Sequence, residues 1–70
     1  MKFDNDKFRA DLITKRVINL KLPLREAGDL IGVSYATLSR IENGKPIDIE
    51  TFCKVCEWLE KNPNEYFIYG

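Results

Sequence analysis

The spacing of its helix breakers limits this chain more than any other feature. Pro23, Gly32, Asn43-Gly44, Pro46 and Pro63 interrupt apolar residues that otherwise recur at helical intervals, which confines the chain to short helices joined by tight turns. Phe8, Leu12, Ile13, Val17 and Leu20 predict one amphipathic helix from about Asp6 to Asn19, with Asp4 or Asn5 as its cap. Lys21 to Leu24 connect it to a second helix, Leu24 to Ile31, which Gly32 stops. Ser34 caps a third helix, Tyr35 to Glu42, and Asn43-Gly44 ends it.

Two helices joined by a turn of about three residues containing glycine are the signature of a helix-turn-helix. Further on, Asp48 caps a fourth helix with Glu50 and Thr51 in its first turn and with Ile49, Phe52, Val55, Cys56 and Leu59 at apolar positions. Asn62-Pro63-Asn64-Glu65 has the order of a capping residue, a proline and an acid, which starts a short fifth helix or turn carrying Tyr66 and Phe67. No segment alternates with period two for long enough to predict a strand. The expected fold is all-α: a compact bundle of about five short helices, with the helix-turn-helix at about residues 23 to 43.

A chain of 70 residues holds one core, so residues 1 to 70 are expected to form one domain, without room for a separate ligand-sensing unit. Cys53 and Cys56 sit at core or near-core helical positions, and their close spacing is unlike a disulfide framework. Histidine is absent and there is no third cysteine, so neither a zinc site nor any other cofactor is expected. No run of about 18 apolar residues exists, and Met1 to Asp11 is too charged for a signal peptide. The expectation is a cytoplasmic protein that does not engage a membrane. The acids are scattered over helix faces, with no histidine base, activated nucleophile or glycine-rich phosphate loop, which argues against an enzyme and a small-molecule substrate.

Eleven basic side chains balance eleven acidic ones, a poor total for a nucleic-acid binder. Their distribution is uneven. Residues 15 to 45 hold Lys15, Arg16, Lys21, Arg25, Arg40 and Lys45 against Glu26, Asp29 and Glu42, whereas acid collects from Asp48 onward. On the third helix Leu38 and Ile41 mark the inner side, and Ala36, Ser39, Arg40 and Asn43 come out opposite. Small polar residues let a helix approach a groove closely, and an arginine reaches guanine O6 and N7 with both arms. Taken by itself, this face is equally that of an ordinary exposed helix.

The run from Gly28 to Lys45, with Gly32-Val33-Ser34 and Ile41-Glu42-Asn43-Gly44 as its most recognisable pieces, closely resembles the Cro and λ-repressor type of helix-turn-helix family, also called Xre-like. The resemblance continues through Ile49-Glu50-Thr51-Phe52 and Leu59 into Pro63-Asn64-Glu65-Tyr66-Phe67. It implies a DNA-binding regulator of bacterial or phage origin, with a small residue at Gly28 where two helices cross and a turn at Gly32. It also implies base contacts from Tyr35, Ala36, Ser39 and Arg40, with groove-edge or backbone contacts from Arg25, Ser34, Thr37, Asn43 and Lys45. Two departures stand out beside the neutral charge. Pro23-Leu24 replaces a capping residue followed by Gln, so Arg25 is the candidate phosphate contact there. The arginine that the family pairs with the glutamate at Glu42 matches Val17, with Arg16 one residue away. Either the connection differs in length or Glu42 has another partner.

Trp58, Tyr66, Phe67, Ile68 and Tyr69 remain. They either dock the C-terminal end onto helix one or form a two-fold dimer interface or partner surface. The resulting expectation is a homodimeric regulator that represses transcription by occupying an operator on double-stranded DNA. A phage repressor, a restriction-modification controller and an antitoxin-type autoregulator all fit. The alternative is a protein-interaction module that keeps the scaffold and binds through the C-terminal aromatics.

Overall fold

A computed structural model describes residues 1–69, so Gly70, the last residue of the expected domain, lies outside the described residues. Strand β1 (Lys2–Phe3) leads into helix α1 (Asn5–Ile13), which continues as a π-helical segment, Thr14–Asn19. Helices α2 (Leu24–Ile31), α3 (Tyr35–Glu42) and α4 (Ile49–Leu59) follow, then a 3₁₀ turn (Pro63–Tyr66) and strand β2 (Phe67–Ile68). The all-α class stands, with one small addition.

Local chemistry accounts for most helix starts. Asp4, not Asn5, caps α1, its carboxylate accepting from the Lys7 amide at 3.1 Å, and Ser34 caps α3, accepting from the Thr37 amide at 3.1 Å. Asp48 occupies the cap position of α4 without a side-chain cap bond. Asn62 and Glu65 form a reciprocal capping box. That box opens only a 3₁₀ turn, because Phe67 is already extended and pairs into β2.

Four helices and the 3₁₀ turn each turn a face inward. Phe8 and Leu12 meet Ala27, Ile31, Leu38, Ile41, Phe52, Val55, Cys56, Leu59 and Tyr66 in one core, and each large side chain so buried contributes about 1.5 to 3 kcal/mol. Phe3, Phe8, Phe52, Tyr66 and Phe67 form an aromatic cluster within it, with Phe8 at 5.1 Å from both Phe52 and Tyr66. The Tyr66 hydroxyl donates to Asp11 at 2.8 Å. Burial and this bond push the phenol above its usual range.

The unexpected element is the antiparallel pairing of Lys2 with Ile68 and of Phe3 with Phe67. Two residues per strand are too few to show a period. The ribbon forms because the Asp4 amide donates to the Tyr66 carbonyl at 2.6 Å and Phe3 joins the aromatic cluster. The chain ends therefore dock on α1, the first of the two arrangements open for the C-terminal aromatics. Tyr66 is 0% exposed and drops out of any partner surface, Phe67 is half-buried, and Ile68 and Tyr69 remain exposed. Trp58 is half-buried beneath Lys15, whose ammonium lies 4.6 Å from the ring centroid and donates to the Trp58 carbonyl.

Three further expectations need correction. Val17 and Leu20 are exposed rather than inward, because a π-helical turn holds more residues than an α-turn and side chains beyond Thr14 fall behind the 3.6-residue period. Ile49, the first residue of α4, is 72% exposed, since the end of a helix overhangs the core. Cys56 is buried, yet Cys53 is exposed.

Candidate nucleic-acid interface

The α2–α3 pair is set by its two glycines. Gly32 adopts φ +96°, a left-handed conformation that reverses the chain without strain only for glycine. Its amide and that of Val33 both donate to the Gly28 carbonyl, at 2.7 and 2.9 Å. A Cβ on Gly28 would lie 2.7 Å from the Val33 carbonyl oxygen, closer than two such atoms can approach. The crossing therefore needs a hydrogen at position 28, and the turn residues are held against α2.

With Leu38 and Ile41 buried, the opposite side of α3 faces outward. Tyr35, Ala36 and Arg40 are exposed, as are Ser34 before the helix and Asn43 and Lys45 after it, while Thr37 and Ser39 are half-buried. Several of these side chains already serve the backbone or one another. Ser34 donates its hydroxyl to Thr37 Oγ1 at 2.9 Å, leaving the Thr37 hydroxyl proton free to donate outward. Asn43 Nδ2 donates to the Ser39 carbonyl at 2.8 Å. Arg25, on the first turn of α2, is exposed, and its guanidinium carbon lies 4.7 Å from the Tyr35 ring centroid. Among the described residues, Arg25, Arg40 and Lys45 have no salt-bridge partner. Ala36, Ser39, Arg40 and Asn43 thus lie on the side of α3 opposite Leu38 and Ile41, and Arg25 of α2 lies against Tyr35 at the start of α3. Trp58 belongs to α4, Phe67 and Ile68 to the ribbon and Tyr69 follows it, and none is part of that α3 face.

Behind the face, helix one holds the C-terminal end of α3. Arg16 Nε and Nη2 donate to the two Glu42 carboxylate oxygens at 2.6 and 2.7 Å, with 15% and 12% of the two side chains exposed. This charge-assisted fork raises the already high affinity of Arg16 for its proton. Arg9 donates from Nε and Nη2 to the Glu42 backbone carbonyl at 3.1 and 2.8 Å. Glu42 therefore finds its partner in Arg16 despite the one-residue offset. The π-helical segment explains the offset, because a wider turn accommodates one more residue between Arg16 and α2. Leu20 accordingly donates to the Lys15 carbonyl, five residues back.

The sequence does not single out Arg9, nor the contact of the Arg25 cation with the Tyr35 ring. A signal for the first existed: Arg9 and Arg16 are seven residues apart and share one face of helix one. The second had none, since it depends on how α2 crosses α3.

A family model described as helix-turn-helix matches residues 12–66. No curated protein and no solved structure matches the chain. The matched family comprises DNA-binding regulatory domains and is not an enzyme family. With two helices crossing at Gly28, a left-handed turn at Gly32 and a match from Leu12 to Tyr66, this chain belongs to the Cro/C1-type, Xre-like helix-turn-helix family of DNA-binding domains.

Proposed function

We propose that the whole chain acts as one cytoplasmic DNA-binding domain that represses transcription as a homodimer by occupying an operator. The observation carrying this reading is the outward face of α3, where Ala36, Ser39 and Arg40 stand opposite the buried Leu38 and Ile41. On this reading α3 enters the major groove, Arg40 takes a guanine edge with both arms, and Tyr35, Ala36 and Ser39 meet neighbouring bases. Arg25, Ser34, Thr37, Asn43 and Lys45 hold the flanking phosphates, which position the helix without reading sequence. The neutral total charge is no obstacle, because Arg25, Arg40 and Lys45 are exposed and form no salt bridge among the described residues, while acid accumulates after Asp48.

The dimer is supported by exposed apolar surface at the ribbon. Ile68 and Tyr69 are open to solvent, and Phe3, Ile47, Ile49, Phe52 and Phe67 line an adjoining hollow of about 280 Å³. A two-fold pair places two recognition helices about 34 Å apart on one face of the duplex.

The test is selection from a pool of random-sequence duplexes followed by anisotropy titration at about 50 and about 200 mM salt, where the slope counts phosphate contacts. Enrichment of a two-fold symmetric site with salt-sensitive binding supports the repressor reading. Absence of retention at the lower salt removes it and directs attention to a protein partner for the C-terminal aromatics.

A further inference from the structure

The Arg25–Tyr35 pair is unusual within the outward face because its members come from different helices. Arg25 lies in the first turn of α2 and Tyr35 is the first residue of α3. Tyr35 is 51% exposed, so little packing fixes the angle of its ring. The Arg25 guanidinium, 4.7 Å from the ring centroid, lies within the ~6 Å over which a cation is attracted to an aromatic face. A guanidinium carries five N–H donors, and no hydrogen bond from those of Arg25 to the protein is found among the described residues. Among the described residues no carboxylate forms a salt bridge with Arg25.

Resting on the DNA-binding reading above, we infer that Arg25 and Tyr35 form one specificity-determining unit, in which Arg25 grips a phosphate with its N–H donors while its cation, held over the ring, sets the angle at which Tyr35 meets a base edge. Arg25 is thus a positioning residue for Tyr35 as well as an electrostatic anchor. Pro23 and Leu24 offer no polar side chain at the start of α2, so Arg25 brings the charge to that place. Because Gly28 holds α2 hard against the turn that starts α3, the two side chains keep a fixed relation as the protein docks. The phosphate grip and the base contact then reinforce each other.

A simple phosphate contact and a coupled unit respond differently to mutation. Removing a phosphate contact weakens binding about equally on every sequence and lowers the salt slope by about one. The experiment uses the labelled duplex recovered from the random pool, its set of single-base-pair variants, and the proteins R25A, Y35A and R25A/Y35A. Both positions are exposed, and circular-dichroism melting of each variant confirms that it folds. Y35A is expected to flatten the preference at one base pair. R25A should lower the salt slope and also flatten that same preference by about two- to fivefold, the range for an exposed cation–aromatic contact. The double variant should be no flatter there than Y35A. The coupling is overturned if R25A weakens all duplexes equally and leaves the preference intact, or if the two losses multiply. Failure of the wild-type protein to bind any duplex overturns the DNA-binding reading and this inference with it. Wild-type binding with independent losses overturns the inference alone.

Discussion

Helix one and the helix-turn-helix each contribute two arginines, and the two regions use them in opposite ways. Arg9 and Arg16 point back into the molecule and fasten Glu42 by its carbonyl and its carboxylate. Arg25 and Arg40 are exposed and without salt-bridge partners among the described residues. The residue type is the same, so the difference comes from what surrounds it. A guanidinium beside a half-buried acid is satisfied within the fold, whereas one on an outward helix face keeps its donors for a ligand. A formal charge of zero therefore understates what this protein presents to DNA, because part of its basic complement is neutralised internally and part remains free.

The comparison is tested most severely at Arg16. R16A is expected to cost about 3 kcal/mol, because it leaves the Glu42 carboxylate largely buried without its partner. Urea unfolding measures this, and a loss below about 0.5 kcal/mol, the level of an ordinary surface change, would break the distinction.

Alkaline titration separates the clamp from the core beneath it. Burial raises the Cys56 thiol from 9.0 to about 11, and Tyr66 is raised above 10.0 by burial and by Asp11. In both cases the folded state keeps a proton that the unfolded chain releases. Stability should be level below pH 9 and then fall as pH rises through about 11, with the Cys56 share reaching about 2 to 3 kcal/mol. C56A should remove that share of the fall, read as melting temperature against pH.

At Arg40 the expectation reverses. R40A should change stability by less than about 0.5 kcal/mol and weaken binding to the selected site by about 1 to 3 kcal/mol, with preference relaxed at one base pair. Anisotropy on matched and mismatched duplexes distinguishes this from a uniform loss. If R40A melts the protein as R16A does, the outward arginines are structural as well.

The smallest effect lies at the C-terminal end of α4. Glu60 ends α4 at φ +59°, a conformation that strains a side chain, so E60G should stabilise by about 1 kcal/mol without altering DNA binding. Thermal melting and the same anisotropy assay check both halves.

Much of the fold was legible because it is written in local rules. The caps at Asp4, Ser34 and Asn62 and the stops at Gly32 and Asn43-Gly44 mark the element ends within a residue or two. The outward face of α3 was legible for the same reason, since Leu38 and Ile41 fix the wheel. What escaped depends on distant partners. The ribbon pairs Lys2–Phe3 with Phe67–Ile68 across almost the whole chain, and two-residue strands carry no period. The π-helical turn has no breaker to announce it, so a 3.6-residue period points Val17 and Leu20 inward where the structure exposes them.

The sequence by itself determined where helices start and stop and which side of α3 is apolar, because each follows from backbone sterics, capping and burial within a few residues. Only the tertiary structure decided which arginines are free. That choice depends on whether an acid or a carbonyl from another helix comes within hydrogen-bonding distance. Glu42 does so for Arg9 and Arg16, and among the described residues no acid does so for Arg25 or Arg40.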